Sequence, residues 1–144
     1  LNMLDQMMKS LAATLGVGDF ISSNNGSYDI EVDQMLLNIR QHSSWVLWET
    51  VLPFQFEQHL DYQKEQTLKH CMQLSLKTLR DTCSTLTVND NEQLIVQGKM
   101  NMESATAEAL CAQLSQHVNL VEQFSGVLEH QRVNHTVSHS IWIP

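Results

Sequence analysis

The sequence predicts an α+β domain: a single antiparallel, twisted sheet of about five strands with three helices, in the order α-β-β-β-α-β-β-α. Three observations predict it. Apolar residues alternate with polar ones between Tyr28 and Ile39 and again between Thr85 and Val88, the period of a strand with one dry face, and near-continuous apolar runs follow from Trp45 to Leu52 and from Leu94 to Val96. In the stretches before, between and after these runs, apolar residues recur three or four apart, the stripe of an amphipathic helix. Within each strand run only a few polar residues separate neighbours, so a strand can fold straight back on the one before it.

The first helix is expected over residues 1–15, where Leu4, Met7, Met8, Leu11 and Leu15 share a face. Gly16 and Gly18 stop it, and the turn-rich residues from Ser22 to Ser27 deliver the chain to the first strand. That strand sets Tyr28, Ile30 and Val32 against Asp29, Glu31 and Asp33. Asp33 and Gln34 alone separate it from the second, marked by Met35, Leu37 and Ile39. The third, Trp45 to Leu52, is apolar on both parities, so both of its faces should be covered. Pro53 marks an edge position or the strand's end. Phe54 to Tyr62 fits a strand through Phe54 and Phe56, and a helix through Phe56, His59 and Leu60.

A second helix follows from about Asp61 to Thr78, carried by Leu68, Cys71, Met72, Leu76 and Leu79. Leu86 and Val88, a turn at Asn89, Asp90 and Asn91, and the run from Leu94 to Val96 form the second hairpin. The third helix, from Glu103 to about Gly126, has Asn101 as its expected N-cap and an apolar stripe of Ala107, Leu110, Cys111, Leu114, Val118, Val121 and Phe124. Beyond Glu129 the periodicity is lost. The expected organisation is one domain over residues 1–129 and a polar, His-containing tail over 130–144.

At 144 residues the chain is long enough to bury roughly 68% of its unfolded surface, so its core needs no disulfide or metal. Sixteen acidic residues against eight basic ones give a formal charge of -8. That balance repels phosphate backbones and anionic lipid, and argues against nucleic acid or a membrane surface as the partner. No window approaches a membrane span, and the N-terminus lacks the layout of a secretory signal. Cys71, Cys83 and Cys111 are odd in number and lack metal-ligand spacing, so they read as reduced cytosolic thiols.

A catalytic constellation is hard to assemble. His130, His135 and His139 offer ligand types but no acidic partner to orient the rings, and read as a solvated tail. His70 and Cys71 are adjacent on a helix and cannot face one another, which leaves Cys71 a small core thiol. Asp29, Glu31 and Asp33 share the wet parity of a strand. Neither a Gly-rich phosphate loop nor a nucleophile elbow is present. The unusual feature is apolar material in excess of one small sheet: Met3, Met7 and Met8, Trp45 and Trp48, and the stripe of the second helix. Such a stripe is normally buried in a dimer.

In order along residues 3–126 stand a helix LDQMMKSLAATLGV, a hairpin YDIEVDQMLLNI, a strand WVLWETVL, a helix ending LSLKTL, a hairpin STLTVNDNEQLIVQGKM and a long helix ESATAEALCAQLSQHVNLVEQF. This ordered set resembles the class I type III secretion chaperones, the Tir-chaperone-like proteins. The resemblance implies a small acidic cytoplasmic bacterial dimer, without cofactor or nucleotide hydrolysis, that keeps the extended N-terminal segment of a secreted effector or gatekeeper competent for export. Some members pair two unlike chains, so a homodimer and a heterodimer with a second small chaperone are both open. The resemblance assigns dimer contact to Leu68, Met72, Leu76, Leu79, Leu86 and Val88, and effector binding to Leu4, Met8, Leu11, Ile30, Val32, Leu37, Ile39 and Trp45. The stretch from Pro53 to Tyr62 is longer than the family's usual link, and the His-containing tail is extra. The competing readings are an adaptor for a folded protein and a small-ligand or thiol enzyme.

Overall fold

The computed structural model describes residues 2–55, 61–78 and 83–141, with side chains over 2–54, 61–77 and 83–129. Helix α1 (Met3–Leu15) opens on Asn2, whose side chain accepts the Asp5 N–H at 2.8 Å, and closes on Gly16 in the left-handed region at φ 70°. Strands β1 (Tyr28–Val32) and β2 (Met35–His42) are joined by Asp33 and Gln34, both at positive φ. That is the turn whose own twist matches a two-residue hairpin. Strand β3 (Trp45–Gln55), helix α2 (Tyr62–Thr78), strands β4 (Ser84–Val88) and β5 (Gln93–Asn101) and helix α3 (Ala107–Ile141) complete the chain.

The sheet is antiparallel throughout, in the order β1-β2-β3-β5-β4. The element order is the expected one. The second hairpin turns through Asn89, whose side chain accepts the N–H groups of Asn91 and Gln93 at 3.0 and 2.9 Å, with Glu92 in the left-handed region. All three helices lie on one face, so only one side of β3 is covered within the protomer. Val46, Trp48 and Leu52 are buried, whereas Trp45 and Val51 are exposed. The expectation of two covered faces is therefore corrected: the second apolar parity faces outward. Pro53 does not end β3 either. The ladder with β2 stops at Glu49, and between Val51 and Gln55 the register with β5 slips, which leaves room for a residue without an N–H.

Two further boundaries differ. Asn101 caps a turn, accepting the Glu103 N–H at 2.9 Å, while the N-cap of α3 is Thr106, whose hydroxyl accepts the Ala109 N–H at 3.0 Å. Helix α3 also runs past Gly126 to Ile141. Its apolar stripe ends near Val127 and Leu128, where the packed face ends, but the backbone helix does not need that face to continue. Leu79, Phe56, His59 and Leu60 lie outside the described residues, as do the side chains of His130, His135 and His139.

The core has two parts. One joins α1 to the β1–β2 end through Leu4, Met8, Leu11, Leu37, Ile39 and Trp48; the other joins α2 to the β5 side through Cys71, Leu94, Val96, Leu120 and Phe124. Between them lies a buried polar chain. A single row crosses all five strands, with Tyr28 opposite Ile39, Ile39 opposite Trp48, Trp48 opposite Gly98 and Gly98 opposite Ser84. The Trp48 indole lies across Gly98 and donates from Nε1 to Ser84 Oγ at 3.0 Å. Ser84 Oγ lies 2.9 Å from Nδ1 of His117 on α3, and Nε2 of the same ring lies 2.9 Å from Thr50 Oγ1. His117 is wholly buried, and that burial pushes its imidazole down to about 4. Both ring nitrogens are partnered while the ring is neutral, one donating and one accepting.

A Cβ on Gly98 would sit 2.2 Å from Trp48 Nε1, so Gly98→Ala must displace the indole. The variant should lose about 1–3 kcal/mol, seen as a Tm lower by about 2–4 °C per kcal/mol. An unchanged Tm would show that the indole is not fixed there. His117 makes stability depend on pH with a definite sign. Its folded value lies below the ordinary 6.5, so the unfolded chain takes the proton first. Stability is full above about pH 6.5 and falls as pH drops toward 4, by up to about 1.4 kcal/mol per pH unit. His117→Gln should flatten this part of a denaturation-against-pH curve; parallel wild-type and variant curves would sink the assignment.

Candidate functional site

The far end of the sheet from α2 carries an apolar groove of about 280 Å³. Leu11 and Leu15 on α1 and Phe20 in the α1–β1 link form one wall; Ile30 and Val32 on β1 and Leu37 on β2 form the floor. Helix α3 supplies the other wall with Cys111, Leu114 and Val118, and adds Ser115 and Asn119 as polar groups. The local reason is periodicity. Residues of β1 and β2 at period two face the helices, and the α3 residues stand three or four apart along one stripe. Strand β1 is the outer strand at this end of the sheet, so beside this groove runs an edge with backbone groups to offer.

The expected binding residues divide sharply. Leu11, Ile30, Val32 and Leu37 line the groove together. Leu4 and Ile39 do not line it and sit in the core, and Met8, also in the core, lines a smaller cavity next to it. Trp45 lies on the opposite face of the sheet, with Lys99 Nζ 4.7 Å from its ring centroid. Sequence reasoning missed Leu15, Phe20, Cys111, Leu114 and Val118 as groove residues. The α3 members were visible as a stripe, but a stripe that covers a sheet and one that overhangs its edge have the same spacing. Phe20 had no periodic context at all.

A smaller cavity of about 230 Å³ adjoins the groove, with Phe20 lining both. Asp5, Lys9, Asp19, Ser22 and Tyr28 supply its polar groups. The Tyr28 hydroxyl donates to the Asp5 carboxylate and fastens β1 to the first turn of α1. Burial, with the Asp5 hydrogen bond and charge behind it, pushes that phenol up to about 12.

The other expected surface is at the opposite side of the sheet. On α2, Met72 and Leu76 are exposed, whereas Leu68 packs on the second core cluster. On the outer strand β4, Val88 is exposed and Leu86 packs inward. Cys71 is fully buried and its thiol is pushed up to about 11 by burial, while His70 is exposed. The open face of the sheet carries a polar ladder. Asn38 Nδ2 donates to Asp29 at 2.8 Å, Arg40 donates to Asn38 at 3.2 Å and pairs with Glu49 at 2.9 Å, and Gln97 donates to Glu49 at 3.2 Å. Among the described residues no group of His, Cys, Asp and Glu gathers as a metal site, and no helix is long and apolar enough to cross a membrane.

A model of the Tir chaperone protein (CesT) family matches residues 6–125 of this α+β frame. The chain belongs to that family. Among curated proteins it is similar to the chaperone protein YscB of Yersinia pestis, 22% identical over 119 residues, covering 83% of this chain and 87% of the relative. Among solved structures it resembles a chain of the HopA1-SchA chaperone-effector complex, with a TM-score of 0.68 at 8% identity, covering 86% of this chain and 94% of that one. It also resembles a chain of the ExoT-SpcS complex from Pseudomonas aeruginosa, with a TM-score of 0.62 at 15% identity, covering 84% and 96%. At these identities the likeness is one of fold.

Proposed function

We propose that this chain is a cytoplasmic chaperone of a type III secretion system, which holds the extended N-terminal segment of a secreted effector or gatekeeper in an export-competent form without chemistry of its own. The observation that carries this reading is the apolar groove beside an edge strand. An extended segment can add to β1 through backbone hydrogen bonds while its alternate side chains enter the groove. Backbone pairing supplies affinity without demanding a sequence, and the groove supplies selection for apolar side chains. Family membership supports the reading, as do the relative named a chaperone and the neighbour described as a chaperone-effector complex.

The groove contacts are Leu11, Ile30, Val32 and Leu37, with Leu15, Leu114 and Val118 beside them. Leu4, Met8 and Ile39 support them from the core. The dimer forms through Met72, Leu76 and Val88, which stand at the opposite edge of the sheet from the groove. Four interstrand steps set the two edges about 19 Å apart. A second protomer on the α2–β4 side therefore leaves the β1 side open to a client. This geometry favours a bound chain over the adaptor and enzyme readings, since the groove is apolar and carries no titratable pair.

Two experiments test this. Val32 and Val118 are partly exposed, so Val32→Glu and Val118→Glu should fold as the wild type does. Client segments recovered by affinity purification from the host should bind either variant at least about tenfold more weakly, a loss of about 1.4 kcal/mol or more. The same segments should shield Cys111 from alkylation in a Cys83→Ser background. Equal binding and an unshielded Cys111 would refute the groove. Met72→Glu combined with Leu76→Glu should halve the mass measured by light scattering without lowering helical content; an unchanged mass would place the dimer contact elsewhere.

A further inference from the structure

Between α1 and β1 the chain does something that a simple connection does not require. Gly16 turns it back off the helix, and the Val17 N–H is held by the Ala12 carbonyl at 3.1 Å. At the other end Asn25 and Ser27 knit a tight turn, with the Ser23 N–H donating to the Ser27 carbonyl at 2.8 Å and the Ser27 hydroxyl donating to Asn25 at 2.9 Å. Just before this turn, Ser22 forms an antiparallel bridge to Tyr28. The inner side of Tyr28 is taken by Ile39 of β2, so Ser22 lies on the outer side of β1. The chain's own link thus occupies the beginning of the edge that an incoming strand would use.

Between those two ends Phe20 makes the one apolar side-chain contact, beside a hydrogen bond between the Ser22 and Tyr28 side chains. Phe20 is half-buried against the α1–β1 core and separates the apolar groove from the cavity at Asp5 and Tyr28. Its neighbours gain little from staying. Val17 and Ile21 are 51% and 88% exposed, and a Cβ on Gly18 would meet nothing within 4 Å. A segment tied at both ends, with one ring inserted and two apolar side chains in water, is inexpensive to lift.

Building on the chaperone reading above, we infer that residues 17–22 are a built-in occupant of the client site. Ser22 holds the start of the β1 edge, Phe20 fills the end of the groove, and an arriving extended segment displaces both. Removing the ring would join the two cavities into one trough along α1. The strap therefore sets the affinity: a client binds by exchange, trading Phe20 and the Ser22 bridge for its own side chains and backbone.

The test uses two probes. The apolar dye 1-anilinonaphthalene-8-sulfonate should bind Phe20→Ala at least about fivefold more tightly than wild type, and Phe20→Ala with Val32→Glu should cancel the gain. An affinity equal to or below that of wild type would overturn the strap, with circular dichroism verifying that the variant is folded. The second probe needs no variant: the recovered client segment, made as a synthetic peptide, is added to the wild-type chain and followed by hydrogen exchange. Deuterium uptake should rise over residues 17–23 while it falls over 30–35. Falling uptake in both would make Phe20 a fixed wall and overturn the proposal. A peptide whose binding ignores Val32→Glu would instead refute the groove, and the dye measurement would still decide whether the strap opens.

Discussion

The hydrogen-bonded chain from Trp48 through Ser84 to His117 and Thr50 is the constraint on which the remaining architecture rests. It joins β3, β4 and α3, elements far apart in the sequence. Each polar atom in it is hidden from water, so each loses free energy unless its partner is in register. A shift of β4 by one residue would turn Ser84 to the other face and strand both the indole N–H and the imidazole. The glycine opposite Trp48 is part of the same constraint, since only a residue without a side chain lets the indole reach across β5 to β4.

The elements themselves were legible because each has a local cause. Period two found both hairpins, the positive-φ pair Asp33 and Gln34 stood where the pattern broke, and three-and-four spacing found the helices. What was not legible is decided between elements. Nothing local in β5 says that it inserts between β3 and β4; His117 does stand on the α3 stripe, three after Leu114 and four before Val121, but being polar it is passed over by an apolar count. The same limit divided the site. Leu4, Met8 and Leu11 share a helical stripe, yet only the last of them reaches the groove. Ile30 and Ile39 have the same strand parity, but Ile30 lies on the outer strand and Ile39 under the helices.

Apolar surface is distributed around the molecule with a clear logic. The helices fill one face, one edge carries the groove, and the other edge carries Met72, Leu76 and Val88. A domain of this size has more apolar side chains than one sheet face can hide; part of the surplus stands at the two edges, where backbone groups also wait for partners, and part, Leu36, Trp45 and Val51, on the open face. In the proposed assembly both deficits are met by the same contacts.

The polar ladder on the open face looks modest as a source of stability, since exposed ion pairs such as Arg40–Glu49 contribute about 0–1 kcal/mol. Its larger effect is on how many neighbours the molecule can have. A sheet whose second face were continuously apolar would stack on another sheet, and a complex carrying an unfolded passenger would grow into an aggregate. Asn38, Arg40, Glu49 and Gln97 interrupt the exposed apolar side chains of that face, Leu36, Trp45 and Val51, which disfavours stacking on a second sheet relative to association at the edges. The ladder thus acts as a limit on valence, so that an assembly built from these chains closes and stays soluble while its cargo remains unfolded.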